Sequence, residues 1–349
     1  WAGSKKMVSD SLDPITLKYS SNPDPCHQFP LRKEKNSKRT QPNLQNTYNK
    51  TRKALKLRVD KEEERQKRAV WEDNVKMIKL LSMENGLGMN NFTVEMNEFG
   101  DLTGEEMKKM MTDSSVLTLR NGKHIQKRGD VKIPKTLDWR TQGYVGPVRK
   151  QNGCGACWAF AVAASIESQL FKKTGKMTQL SVQNLIDCAR SYSTYGCKGG
   201  LVYGAFLYVK NNKGLEAEAT YPYEAKEGRC RYRAERSVVK ITRFLVVPRN
   251  EEALMNALVT HGPIAVGIDA GHESFTNYAG GIYHEPKCKT DNPTHGLLLV
   301  GFGYEGRESD GKKYWLLKNR LVPTTIVIRE ASSTQLVETD AETHSLRLG

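Results

Sequence analysis

The 349 residues carry 54 Lys and Arg against 39 Asp and Glu, a formal net charge of +15, and 38% of them are hydrophobic. That supplies the cores of two or three domains but no membrane span, so the expectation is a soluble protein without a membrane partner. The charge is uneven: residues 31–60 hold ten Lys/Arg and two Asp/Glu with Tyr48 as their one aromatic residue, which argues against a base-stacking nucleic-acid surface and for a solvated basic arm.

Residues 1–60 are assigned to a basic, poorly ordered N-terminal segment, with Pro, Ser and Asn scattered up to Asn49. From Lys61 the composition changes. Glu62, Glu63 and Glu64 open a stretch in which Ala69, Val70, Val75, Ile78, Leu80 and Leu81 are mixed with charge, which suits an amphipathic helix. Asn97-Glu98-Phe99-Gly100-Asp101 follows, and Asn121 to Lys132 reads as an exposed linker open to cleavage.

The centre of the chain is Gln151-Asn152-Gly153-Cys154-Gly155-Ala156-Cys157-Trp158-Ala159-Phe160. It runs into Ala159, Val162, Ala163, Ile166, Leu170 and Phe171, apolar at helical spacing until Gly175 can cap the end. Cys157 therefore falls at a helix N-terminus, where unpaired N–H groups and the macrodipole favour an anionic sulfur. By spacing alone, the Cys-x-x-Cys pair fits a redox dithiol, half of a zinc site, a disulfide cysteine beside a nucleophile, or two buried thiols. A thioredoxin-like motif asks for Trp before the first Cys, and a zinc ribbon asks for a second close pair where Cys188 and Cys197 stand nine apart. Farther on, Ser181 can cap a short helix. Ile264–Ile268, Gly281–Tyr283 and Gly296–Tyr304 read as strands, with glycines punctuating bends.

Cys154-Gly155-Ala156-Cys157-Trp158 matches the local signature of papain and cathepsin-type thiol proteases, which also asks for a distant His and Asn. From about Ile133 to Asn319 the chain resembles a papain-family cysteine protease of the cathepsin L branch. Upstream, Glu63, Trp71, Asn74 and Ile78 resemble the helical prosegment motif of cathepsin L-type proenzymes, with Lys67 where Arg is usual and Ser82 where Asn is usual. Asn97 to Asp101 resembles a second prosegment motif. The resemblance implies an α+β, papain-like fold: a helical domain and an open β-barrel domain with a cleft between them, preceded by a helical inhibitory prosegment. The expected divisions are 1–60, the basic segment; 61–130, prosegment and linker; 131–319, the peptidase domain; and 320–349, a polar tail unrelated to the family.

The resemblance also implies the site. Cys157 is the expected nucleophile, His295 its base and acid, Asn319 the residue that orients the His295 ring, and Gln151 an oxyanion donor beside the Cys157 N–H. Gly199 and Gly200 are expected to meet an extended peptide, and Leu201, Val202, Gly267 and Pro293 to wall a pocket for an apolar P2 side chain. The implied disulfides are Cys154–Cys197 and Cys188–Cys230, which leaves Cys26 and Cys288 over and suits an oxidising compartment. No metal and no cofactor are expected. Expected partners are protein or peptide substrates, the chain's own prosegment as an intramolecular inhibitor, and cystatin-type inhibitors, in a lysosomal or extracellular setting. Asn49-Lys50-Thr51 and Asn91-Phe92-Thr93 are glycosylation sequons. After Asn319 the family pattern stops. The expected losses are the final barrel strands, a shielding tryptophan and the partner of Cys288, with Thr324 to Ile328 β-prone enough to fill one strand position. The alternative function is accordingly an impaired or inactive truncated isoform acting as a binding or inhibitory protein.

Overall fold

The computed structural model describes residues 61–110, 131–248, 250–288, 293–307, 312–319, 325–328 and 336–342, the last of these as backbone alone. The basic segment 1–60, with Cys26 and the Asn49 sequon, lies outside the described residues, as do most of the linker and much of the tail.

Helix α1 (Lys61–Gly86) starts on three acidic residues, Glu62, Glu63 and Glu64, which complement the positive end of its dipole. Its inward stripe is Lys67, Trp71, Asn74, Ile78 and Leu81, three or four residues apart. Trp71 and Asn74 are buried, whereas Leu80 is exposed although apolar. The Asn74 amide donates to the Gly100 carbonyl at 2.8 Å, which ties α1 to the Asn97–Asp101 segment. Strand β1 (Phe92–Val94) and helix α2 (Gly104–Met110) complete this N-terminal part. Lys67 and Glu106 join α1 to α2 at 2.5 Å.

Strand β2 (Leu137–Asp138) leads into the helical half. Helix α3 (Cys157–Thr174) is buried along its first fourteen residues, ending at Gly175 in the left-handed conformation, φ 69°. Helix α4 (Val182–Cys188) has the Ser181 side chain accepting from the Asn184 N–H at 2.9 Å. With helix α5 (Val202–Asn211), these elements enclose a core of Trp158, Ile166, Leu180, Leu185, Ile186 and Phe206.

The second half is a sheet. Strand β3 (Leu215–Glu216) pairs with β4 (Ser237–Val247), helix α6 (Glu251–His261) follows, and β5 (Ile264–Ile268) runs antiparallel to β7 (His295–Glu305). The short helix α7 (Glu273–Thr276) and strand β6 (Tyr278–Tyr283) lie between β5 and β7 in sequence, and β8 (Lys312–Lys318) pairs with β7. Here the expectation of missing strands is corrected in part: the β-prone run does fill a strand position, over Thr325–Ile328, as its β-branched residues suggested, and a second, unexpected tail strand joins the sheet. Strand β9 (Thr325–Ile328) pairs antiparallel with β8 and parallel with β6, and β10 (Leu336–Glu342) pairs with β4 and β5. The order is β1-β6-β9-β8-β7-β5-β10-β4-β3, so both tail strands are interior to the sheet. Ile326 and Ile328 are buried, because a β-branched run satisfies a half-buried strand.

The N-terminal part is built into this sheet. β1 extends it antiparallel to β6, Phe92↔Gly281 and Thr93↔Gly280. Phe92, Val94 and Met107 share a core with Leu258, Phe275, Tyr278 and Tyr283.

Candidate active site

The site begins with the first residue of α3. Cys157 is fully buried and keeps its thiol, because Cys154 bonds Cys197 across 43 residues and Cys188 bonds Cys230. Cys154 and Cys157 are therefore not a redox pair here. The N-cap of α3 is Ala156, which has no side-chain oxygen to cap the helix, so the positive end of the dipole lies at Cys157.

His295 opens β7 and is likewise buried. Its Nε2–H donates to Asn319 Oδ1 at 3.1 Å, and Asn319 is 1% exposed. The two residues are brought together because β8 pairs antiparallel with β7, Leu298↔Lys318, which returns the chain to the end where His295 stands. The contact to Cys157 comes through the next residue. A Cβ on Gly296 would lie 3.2 Å from the Cys157 carbonyl oxygen and 3.4 Å from the Trp158 Cα, so β7 starts directly against the first turn of α3. A side chain there would push the two elements apart.

Gln151 is fully buried, six residues before Cys157, and its carbonyl accepts from the Tyr223 hydroxyl at 2.6 Å. Asn152 takes φ 54°, a left-handed conformation that Asn tolerates better than most residues.

The expected substrate-facing residues fall into two groups. Gly200 lies over Trp158, next to the buried Gly199: a Cβ on Gly200 would come within 2.9 Å of the indole and of Thr194 Cβ, so glycine is required there, and Leu201 and Val202 are buried beside it. Trp158 is held by its indole N–H, which donates to the Gly196 carbonyl at 3.1 Å. Gly267 and Pro293 form the other group, adjoining His295, since a Gly267 Cβ would stand 2.9 Å from Pro293 Cβ and Gly267 pairs with Gly296.

The N-terminal part reaches the same region. Glu98 forms an ion pair with Lys150, the residue before Gln151, at 3.2 Å, and Asn97 donates to the Thr276 carbonyl at 2.6 Å. Sequence reasoning missed Lys150 and Tyr223. Neither stands in a spacing that signals chemistry; the fold brings their partners from 52 and 72 residues away.

Against this geometry, residues 133–321 match the family model described as papain family cysteine protease, more than half of the chain, and residues 45–107 match the cathepsin propeptide inhibitor domain (I29). The chain belongs to the papain family of cysteine proteases. This papain-family chain is similar to cathepsin 7 of Rattus norvegicus, 76% identical over 258 residues that cover 74% of this chain and 77% of that protein. It is 48% identical to procathepsin L of Mus musculus over 257 residues, 74% of this chain and 77% of that one. Among solved structures, a digestive procathepsin L2 proteinase from Tenebrio molitor larval midgut superposes with a TM-score of 0.77 at 29% identity, over 85% of this chain and 99% of that one. The papain-like fold and cysteine-type peptidase membership follow, together with a propeptide domain of the inhibitory class.

Proposed function

We propose that this chain is a cysteine endopeptidase zymogen that hydrolyses peptide bonds through an acyl-enzyme on Cys157. The observation that carries the reading is the buried His295–Asn319 pair at the start of a strand that abuts the first turn of the Cys157 helix. In this reading the Cys157 thiolate attacks the scissile carbonyl, and the His295 imidazolium gives its proton to the departing amine. A water then attacks the thioester with His295 as base, releasing the acid and restoring the thiolate. Asn319 holds the ring through Nε2–H, which leaves Nδ1 for the sulfur. The Gln151 amide and the Cys157 N–H donate to the oxyanion, where losing one donor typically costs about 3–4 kcal/mol.

Gly199 and Gly200 would bind an extended peptide by main chain, and Leu201, Val202, Gly267 and Pro293 would favour an apolar P2 residue. The prosegment, paired through β1 to β6 and through Glu98 to Lys150, would keep the enzyme latent until its removal near Val131. A lysosomal or secreted setting suits a disulfide-bonded proenzyme.

The test is labelling of the acid-processed chain with a mechanism-based thiol-protease probe, with Cys157→Ala and His295→Ala as controls. Label on Cys157 that vanishes in both variants supports the reading. No label, with the thiol still alkylated by iodoacetamide, overturns it in favour of an inactive relative that acts by binding.

A further inference from the structure

Arg149, Glu167, Glu218 and Tyr223 form one connected polar cluster behind the turn that carries Gln151. Arg149 Nη2 donates to Glu167 Oε1 at 2.9 Å, and Nη1 donates to Glu218 Oε2 at 3.0 Å and to the Leu180 carbonyl at 3.1 Å. The other Glu218 oxygen accepts from the Tyr223 backbone N–H at 2.8 Å. The Tyr223 hydroxyl then donates to the Gln151 carbonyl at 2.6 Å. The Tyr223 ring meets Phe160 edge to face, centroids 5.0 Å apart, and the Arg149 guanidinium carbon lies 5.4 Å from the centroid of that same Phe160 ring. Phe160 and Glu167 are both on α3, the helix that Cys157 begins. The cluster therefore ties the Gln151 main chain to the rigid body that carries the nucleophile.

The turn gains from such a hold. Asn152 and Gly153 are exposed, Asn152 adopts the left-handed conformation, and open space surrounds the place a Gly153 Cβ would occupy. On its far side the turn is fixed by the Cys154–Cys197 bond and by the Gly155 N–H donating to the Cys197 carbonyl at 2.8 Å. An oxyanion donor lowers a barrier only if it is already in place when charge develops, since reorganisation would consume the stabilisation. Displacing the Gln151 peptide moves its side-chain amide with it, and small misplacements are costly in rate.

We infer that Tyr223 is a positioning residue for the oxyanion donor: its hydroxyl, on a ring held by Phe160 and a backbone held by Glu218, fixes the Gln151 peptide so that the side-chain amide meets the developing charge. This rests on the reading of Gln151 as that donor. Tyr223 acts on the main chain of Gln151. Its effect should pass entirely through Gln151 and should fall on kcat rather than KM.

The experiment compares four full-length chains after identical acid processing: wild type, Tyr223→Phe, Gln151→Ala and the double variant. Each is assayed for kcat and KM on one peptidyl amide and for the rate of Cys157 alkylation by iodoacetamide, which forms no tetrahedral oxyanion. Tyr223→Phe keeps the ring against Phe160 and removes one hydroxyl. The expected result is a kcat about fivefold to tenfold lower with KM and alkylation unchanged, the loss one neutral hydrogen bond typically supports. In the Gln151→Ala background the same change should alter kcat less than about twofold. An equal fall in both backgrounds, a fall in alkylation rate, or no fall in the wild-type background overturns the positioning role while leaving Gln151 as donor. A Gln151→Ala variant as active as wild type removes the donor reading itself, and Tyr223's role with it.

Discussion

The His295 Nε2–H and the Asn319 amide oxygen meet at 3.1 Å with both side chains no more than 1% exposed, so this hydrogen bond works where water does not compete. When His295 is charged, the bond is charge-assisted, a class worth about 1.5–3 kcal/mol. Asn319→Ala should lower kcat on the order of 10- to 100-fold with KM nearly unchanged, read from steady-state kinetics of the processed chain. Equal kcat in the variant would mean the ring is oriented by its packing alone, including the Phe275 edge at 6.2 Å between centroids.

The Lys67–Glu106 pair makes the prosegment sensitive to acid. Burial disfavours the Glu106 charge, but donors from Lys67 and from the Thr103 N–H and hydroxyl outweigh it and hold the carboxyl below its ordinary 4.5. A carboxyl whose folded value is depressed adds stability that is fully present above its unfolded value and is lost as the pH falls through the folded one. Glu106→Gln should therefore weaken hydrogen-exchange protection of α1 and α2 more at about pH 6 than at about pH 3.5. A difference of the same size at both values would show that packing, not charge, makes the contact.

Much of this was readable wherever the signal is local. Gly175 and Ser181 cap their helices as their residue types demand, and Thr325–Ile328 is a strand because its β-branched run is intrinsically extended. The α1 stripe was harder to see. Ala69 and Leu80 are apolar yet exposed, whereas Ile78 and Leu81 of the same apolar pattern dock together with Trp71 and Asn74, which the prosegment resemblance rather than hydrophobic spacing picks out. Leu336–Glu342 gives no strand signal in its polar sequence; β4 and β5 supply its register. The Tyr223–Gln151 contact spans 72 residues, and only the finished fold creates it.

Gly296 tests how closely the nucleophile and its base are held. In Gly296→Ala the new methyl group would sit 3.2 Å from the Cys157 carbonyl oxygen and 3.3 Å from its carbon, both backbone atoms with no rotamer to escape into. Either β7 or α3 must give by a few tenths of an ångström. Activity should fall roughly tenfold or more, with a smaller change in thermal midpoint, since geometry fails before packing does. The two quantities are measured on the same preparation by peptidyl amide hydrolysis and calorimetry.

The tail decides whether the sheet half holds together. Ile326 is 1% exposed, in a strand that pairs with β8 on one side and β6 on the other, opposite Leu317 in the β8 register. Truncating a buried Ile to Ala typically costs about 2–5 kcal/mol, a large part of the roughly 5–15 that stabilises a domain. Ile326→Ala should lower the denaturation midpoint accordingly, and ending the chain at Asn319 should leave β6 and β8 as open edges prone to association. A surface control, Lys313→Ala, should change neither. If Ile326→Ala matches that control, β9 contributes no stability; if it unfolds the sheet, residues beyond Asn319 have taken over a structural task that holds Asn319 in reach of His295.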